Sequence, residues 1–450
     1  MSDNVTLRLA QYAASTKESS LPPSVRERAK HIIMDEVACG VFGRSFPAGD
    51  LAARYATRFG GVGPSSVLGT LANTTAPFAA LANGTAGHAD ELDGAHVVGG
   101  HPGATIVHAA IAAAQQQRST GAELLNAVVL GYDVGNRLIR ACGGIFAVKS
   151  TYHLHADFLH ALGAAVAVSR LLSLSPEKHC DALALATFQS NGLCALFEER
   201  RHVSKSFCNG QFAFAGVSSA LQAEMGLEGC VNVLGATDGV LAAWGVEGAE
   251  DTLLHGLGAD FEVMGSNFKF INAGYPIHSA VEATLGLITE FSIDARDVVA
   301  VEVRLPTNPM KVVDNRTMHN ICLQDMVTAT LVQGGLSLAK SPFPEILANP
   351  LYKSLRERVT LRADPGFDRD RPNGRCAIVT ITGADSQSWS RQVDWPKGHS
   401  DGGGVAWADL SDKWHDALPN VNVDRALVFA QGLEELSDVD EFVRSFEVEG

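Results

Sequence analysis

The run HADELDGAHVVGGHPG, from His88 to Gly103, sets His88, Asp90, Glu91, Asp93, His96 and His101 close together along the chain. Carboxylates beside imidazoles are the groups that move protons near neutral pH, since histidine exchanges a proton there and a neighbouring acid sets its tautomer. Three readings fit the run: an acid/base site, a metal site made of the same ligands, and a solvated charged loop. No HExxH or comparable ligand spacing favours the metal.

A second histidine group, TYHLHADFLH, holds His153, His155 and His160, which can also cap or pack the helix after them. EERRHVSKSFCNG gathers Arg200, Arg201, His202 and Lys205 ahead of an apolar helix. It is the densest positive charge in the chain: an anchor for a substrate carboxylate, or a surface patch. FKFINAGYPIHSA places Lys269 and His278 around a Gly-Tyr-Pro turn, where a lone histidine entering a helix is as readily structural.

Bulk properties narrow the chemistry. The 450 residues suggest about two domains. With 46% apolar and 19% charged residues the composition is globular. A net charge of −15 without a compensating basic cluster argues against a nucleic-acid partner, and it requires any anionic substrate to be held by a local positive site. Walker-type, GxSxG and strand-linked GxGxxG motifs are absent, which disfavours nucleotide-dependent and serine-hydrolase chemistry. The opening MSDNVTLRLAQ does not read as a signal peptide, and no apolar stretch reaches the ~18 residues of a membrane span. Eight scattered cysteines without a CxxC pair read as free thiols of a reducing compartment, so the cytoplasm is expected.

The elements that must position these groups are mostly helical. Pro22-Pro23-Ser24 starts a helix with a serine cap and a stop at Gly40 or Gly43. Helical spacing recurs at about 49–60, 75–90, 104–117, 121–142, 156–173, 176–195, 210–225 and 276–291. The helix beginning near Pro77 is expected to run to Glu91, which puts His88 and Glu91 on one face. Near residue 260 the texture changes. VVAVEVRLP (298–306), CAIVTITG (376–383) and SWSRQVDWP (388–396) read as strands, and CLQDMVTATLVQGG (322–335) as a helix ended by glycine. ADLSDKWHDAL (408–418) and ALVFAQGLEEL (426–436) are helical again. The expected fold is mainly α: a large helical domain (1–264), a smaller α/β unit inserted at 265–400, and C-terminal helices (401–450) returning to the first domain.

In order, PPSVRERAKHIIMDEVACGVFG, NGTAGHADELDGAH, HPGATIVHAA, GYDVGNRL, HALGAAVAVSRLLSL, SKSFCNGQFAFAGVSSALQAEMGLEG, FKFINAGYPIHSAVEA and LSDKWHDAL resemble the MmgE/PrpD family over almost the whole chain. The resemblance implies a helical domain with a smaller α/β lid, a homodimer, and no metal or organic cofactor. It also implies proton movement at a carbon next to a carboxylate, as in dehydratases of 2-methylcitrate, decarboxylases of cis-aconitate and epimerases of iminodisuccinate. His101 matches the family's HPxG histidine, Lys205 its lysine before the glycine-led helix, and His278 its domain-boundary histidine. Lys205 is then a carboxylate anchor, and His101 and His278 are binding or proton-transfer groups. Glu91 and Asp93 take the first two places of the family's acidic run, Gly94 the third, and Ala95 a place where a hydroxyl residue often lies. Leu154 falls on the family's HPT histidine with His153 and His155 on either side; Cys208 replaces a histidine, and Met326 a tyrosine of the lid helix. The expected catalytic set is His101, Lys205, His278, Glu91 and His155, with Asp93, His153, Arg201, Lys269 and Ala95 binding substrate. A dehydratase acting on a small di- or tricarboxylic acid is the leading expectation. An epimerase, a decarboxylase and a catalytically silent ligand-binding relative are the alternatives.

Overall fold

The computed structural model describes residues 4–199, 201–246, 248–338, 341, 343 and 345–447. The protein is mainly α. Helix α1 (Pro23–Gly43) starts on Pro23, whose missing N–H costs nothing in a first turn. Ser24 lies inside that turn and caps nothing, a departure from the expected serine cap. Helix α2 (Ala76–Gly87) leads into the acidic run, and α3 (Pro102–Gln117) leaves it with proline in its first turn. Helix α4 (Gly121–Ala141) opens on a capping box between Thr120 and Glu123. Then follow α5 (Gly144–Tyr152), α6 (His160–Leu171), α7 (Pro176–Gln189) and α8 (Ser204–Glu224).

Small residues let these helices meet at backbone distance. A Cβ on Gly210 of α8 would lie 2.2 Å from the Leu81 carbonyl of α2, a contact only glycine permits. Helix α8 also begins earlier than its apolar pattern suggests. The Glu199 carboxylate accepts the N–H groups of Ser204 (2.8 Å) and Lys205 (2.9 Å), so Lys205 sits in the first helical turn and not in a loop ahead of it.

The α/β region carries α9 (His278–Phe291), strand β1 (Val298–Leu305), α10 (Leu323–Gln333), β2 (Val359–Ala363), β3 (Ala377–Gly383) and β4 (Ser388–Val393). Strand order is β2-β1-β3-β4; β2 runs parallel to β1, and the other pairs are antiparallel. Residues β2 contributes, VTLRA, were not recognisable as a strand, because its alternation is weak and it lies mostly exposed at a sheet edge. Val298, Val301, Val303, Val379 and Ile381 face α9 and α10 in a core separate from that of the helical region. In chain order the first core reaches Phe268 and the second begins at Ile271.

Helices α11 (Trp407–Ala417) and α12 (Val423–Gln431) bury Leu410, Trp414, Ala426 and Leu427 in the first core. Lys413 of α11 makes a buried ion pair with Asp35 of α1 at 2.7 Å and donates to the Leu92 carbonyl at 3.2 Å. The C-terminal segment thus touches the acidic run directly. Among the described residues no helix is long and apolar enough to cross a membrane.

Candidate active site

The acidic run is a buried turn and not the end of a helix. Helix α2 stops at Gly87, and Glu91 takes a left-handed conformation (φ 56°), so His88 and Glu91 meet across a turn rather than along a helical face. The solvated-loop reading fails on burial: His88 and Asp93 are 0% exposed, Glu91 1% and His101 9%. Ala95 and His96 pair antiparallel with Asn267 and Ser266, which pins the run to the junction of the two cores. Glu36 of α1 accepts the Gly94 N–H at 2.9 Å. A Cβ on Gly103 would lie 2.1 Å from that carboxylate, so the glycine of HPGA makes room for the brace.

Glu91 is the hub. Its Oε1 accepts from Lys205 Nζ, and its Oε2 from Lys269 Nζ at 2.8 Å. Lys269 also lies 3.6 Å from Asp93. Lys205 Nζ lies against Nε2 of His88, whose Nδ1 donates to Asp93, 2.9 Å from both its oxygens. Burial alone would lower His88, but the Asp93 and Glu91 charges hold it above its ordinary value. Nδ1 of His101 faces two acceptors, Asp93 Oδ2 at 3.2 Å and the Gly94 carbonyl at 3.3 Å. That pair fixes the His101 proton on Nδ1 and leaves the Nε2 lone pair open.

Burial alone would raise the Glu91 carboxyl, but the Lys205 and Lys269 charges outweigh it and hold it well below the usual range. Asp93 is also held well below its usual range, because His88, His101 and Lys269 outweigh its burial. Burial pushes His101 below its ordinary value, with Asp93 opposing and the neighbouring cations assisting. His101 is therefore a neutral imidazole oriented by a carboxylate, the arrangement of a general base.

A cavity of about 80 Å³ opens on this cluster. One water needs ~10–15 Å³ on that scale, so the space is large enough for a small organic acid. Glu91, Ala95, His101, His155 and Lys205 line it. His155 is buried, with Nδ1 3.4 Å from Asp157, and burial pushes it down to about 4. Asp93 and Lys269 do not line the cavity; they hold Glu91 and His101 from behind. His278 is fully buried, bonded through Nε2 to the Ala273 carbonyl at 3.1 Å, and stands behind Tyr275 (ring centroids 5.1 Å apart). His153 is exposed and lines a neighbouring surface hollow. Arg201 is exposed and away from the cavity lining, and Arg200 lies outside the described residues. The structure therefore gathers Glu91, Ala95, His101, His155 and Lys205 at one cavity and leaves Arg201 and His153 apart from it.

Several contributors went unrecognised in the sequence. Asp157 accepts the His101 N–H at 3.1 Å, Glu36 braces Gly94, and Lys149, Tyr275 and Arg375 line the cavity. Of these Tyr275 and Asp157 had a signal, in the Gly-Tyr-Pro turn and in TYHLHADFLH; the others come from segments that carried none.

Side-chain atoms of His88, Glu91, Asp93 and His101 lie within 4.8 Å of one another, close enough to share a cation. Lys205 and Lys269 already occupy that electrostatic role, two ammoniums against the Glu91 and Asp93 carboxylates. At ~4 Å and an effective dielectric near 20, each unit of like charge costs about 4 kcal/mol, and a divalent ion doubles it. The donor set fits proton transfer better than a resident metal.

Residues 7–249 match the MmgE/PrpD N-terminal domain, and residues 272–434 match the MmgE/PrpD C-terminal domain. A cis-aconitate decarboxylase-like protein of Aspergillus oryzae is 29% identical over 295 residues, 63% of this chain and 60% of that protein. The cis-aconitate decarboxylase of Aspergillus terreus is 25% identical over 421 residues, 88% of this chain and 85% of that protein. The human cis-aconitate decarboxylase is 23% identical over 461 residues, 97% of this chain and 93% of that protein.

Proposed function

The chain belongs to the MmgE/PrpD family, and on that premise we propose that it is a lyase acting at the carbon next to a carboxylate of a small di- or tricarboxylic acid. The observation that supports this reading is the Lys205–Glu91 pair and the Asp93-oriented His101 lining one small cavity. A carbanion beside a carboxylate forms only if the charge developing on that carboxylate meets positioned cations and donors. Lys205 is the anchor, Glu91 holds its ammonium toward the cavity, and His101 exchanges the proton. Lys269, Asp93 and His88 position these three.

Decarboxylation is the first reading, favoured by the named relatives. The carbon–carboxylate bond breaks, its electron pair stays on carbon, CO₂ leaves, and protonated His101 delivers the replacing proton. A bound polyanion favours that protonated form by attraction. Dehydration is the second reading, favoured by the open Nε2 of His101: the base takes the proton next to the carboxylate, the carbon–oxygen bond on the neighbouring carbon breaks, and the hydroxide leaves as water with the proton that His101 returns.

Incubation in deuterated water with cis-aconitate and a panel of 2-hydroxy di- and tricarboxylates tests the proposal. Release of CO₂ with deuterium entering the product carbon, or release of water, is expected, unchanged by a chelator. Deuterium uptake without either loss overturns the lyase reading in favour of an epimerase. Full turnover in Lys205→Ala and His101→Ala overturns the site.

A further inference from the structure

The cavity lining also carries two cations with no acidic partner among the described residues. Arg375, just before β3, has one partner for its guanidinium among the described residues, the Asn373 carbonyl at 2.8 Å. Its faces are flanked by aromatic rings, Phe146 at 5.2 Å and Tyr275 at 5.9 Å. Lys149 of α5 lies 4.7 Å over Phe197, with no carboxylate in ion-pair range among the described residues. Both line the cavity in a chain whose net charge is −15. Burial lowers Arg375 to about 10, which leaves it charged at neutral pH.

Tyr275 adds an independent observation. It lines the same cavity, is 4% exposed, and its buried hydroxyl has no hydrogen-bond partner among the described residues. A buried hydroxyl without a partner is costly, and so are cations held among aromatic rings without a counter-ion. One incoming carboxylate relieves both, accepting from the guanidinium and from the phenol. Ring faces beside it suit the carbon chain of the acid.

We infer that Arg375, Lys149 and Tyr275 form a second carboxylate receptor, so that the substrate presents one carboxylate to Lys205 and another to this group. The inference rests on the proposed function for the first carboxylate only. It makes the α/β region, through Arg375, the part of the protein that selects polycarboxylates over monocarboxylates.

Thermal-shift titrations with cis-aconitate, succinate and crotonate test it on the wild type and on Arg375→Gln, Tyr275→Phe and Lys149→Met. Cis-aconitate and succinate are expected to stabilise the wild type. Arg375→Gln is expected to raise their half-saturating concentrations about 10- to 100-fold, the scale of one charge-assisted hydrogen bond, with the crotonate response unchanged. Tyr275→Phe is expected to give a smaller loss of the same selectivity, and Lys149→Met repeats the test at a second charge. Equal loss for crotonate and succinate, unaltered binding in Arg375→Gln and Lys149→Met, or no stabilisation of the wild type by either polycarboxylate overturns the receptor. Deuterium exchange separates the two ideas. Loss of exchange in Lys205→Ala with unaltered Arg375→Gln binding leaves the function standing without the receptor. Exchange surviving in Lys205→Ala removes the function, and the titrations still decide the receptor.

Discussion

Glu91 illustrates how little a residue's type says without its neighbours. The same carboxylate that a solvated loop would expose is buried between two lysines, and its charge exists only because they are there. His101 depends on Asp93 in the same way. Replacing His101 with alanine is expected to lower turnover about 10²- to 10⁴-fold. In the wild type the pH dependence separates the two readings. As the base of a dehydration His101 makes kcat/KM fall as pH drops through its depressed value, whereas as the protonated donor of a decarboxylation it makes kcat/KM fall as pH rises through it. The limb lies below 6.5, the ordinary histidine value, in both cases. A pH–rate profile checks both the position and the sign. Asp157 offers a stability test. Its burial is outweighed by His155, His101 and His160, and its pKa falls from 3.8 to about 2. A depressed carboxylate stabilises the fold above its unfolded pKa and ceases to do so as pH falls through the folded one. Asp157→Asn keeps an acceptor for the His101 N–H and is expected to lower stability at pH 7. That difference shrinks between pH 4 and pH 2, as urea midpoints at the two ends would show.

Elements bring these residues together through contacts that the helical pattern encodes only in part. Most helices were legible because apolar spacing, prolines and caps mark them, as at Pro23, Pro102 and Thr120. Their ends near the site were not. Helix α2 stops before His88 because the chain must turn to bury Glu91, and α8 starts at Ser204 because Glu199, six residues before Lys205 in sequence, caps it. Close approach of α2 and α8 at Gly210 sets where Lys205 meets His88 and Glu91. Gly210→Ala is expected to cost about 1–3 kcal/mol by overpacking, and to lower turnover as well because Lys205 shifts with its helix. Calorimetry with a parallel rate measurement separates this from a purely global loss: turnover per folded molecule should fall too.

At the scale of the whole molecule, two cores meet at the cavity, and the C-terminal helices close the back of the acidic run. Lys413 and Asp35 are 0% and 1% exposed and join segments nearly the full chain apart. Lys413→Met is expected to destabilise by about 3–5 kcal/mol because it strands a buried carboxylate, and Asp35→Asn in the same chain should recover much of it. Denaturant midpoints of the single and double variants check this.

By itself the sequence determined that the chain is mainly helical with an α/β segment and where most elements lie, and it singled out His88–Gly103 and Lys205 as candidates for chemistry. Those features are local: periodicity, caps, and residue types crowded within a few turns. Only the tertiary structure decided which charges are buried, paired or left open. Arg201, prominent in the sequence, stays in solvent, while Arg375, Tyr275 and Lys149 reach the cavity from remote segments and Asp157 accepts the His101 N–H. The physical reason is that ionisation and hydrogen bonding of a buried group depend on everything packed around it, and that packing is set by contacts far apart in the chain.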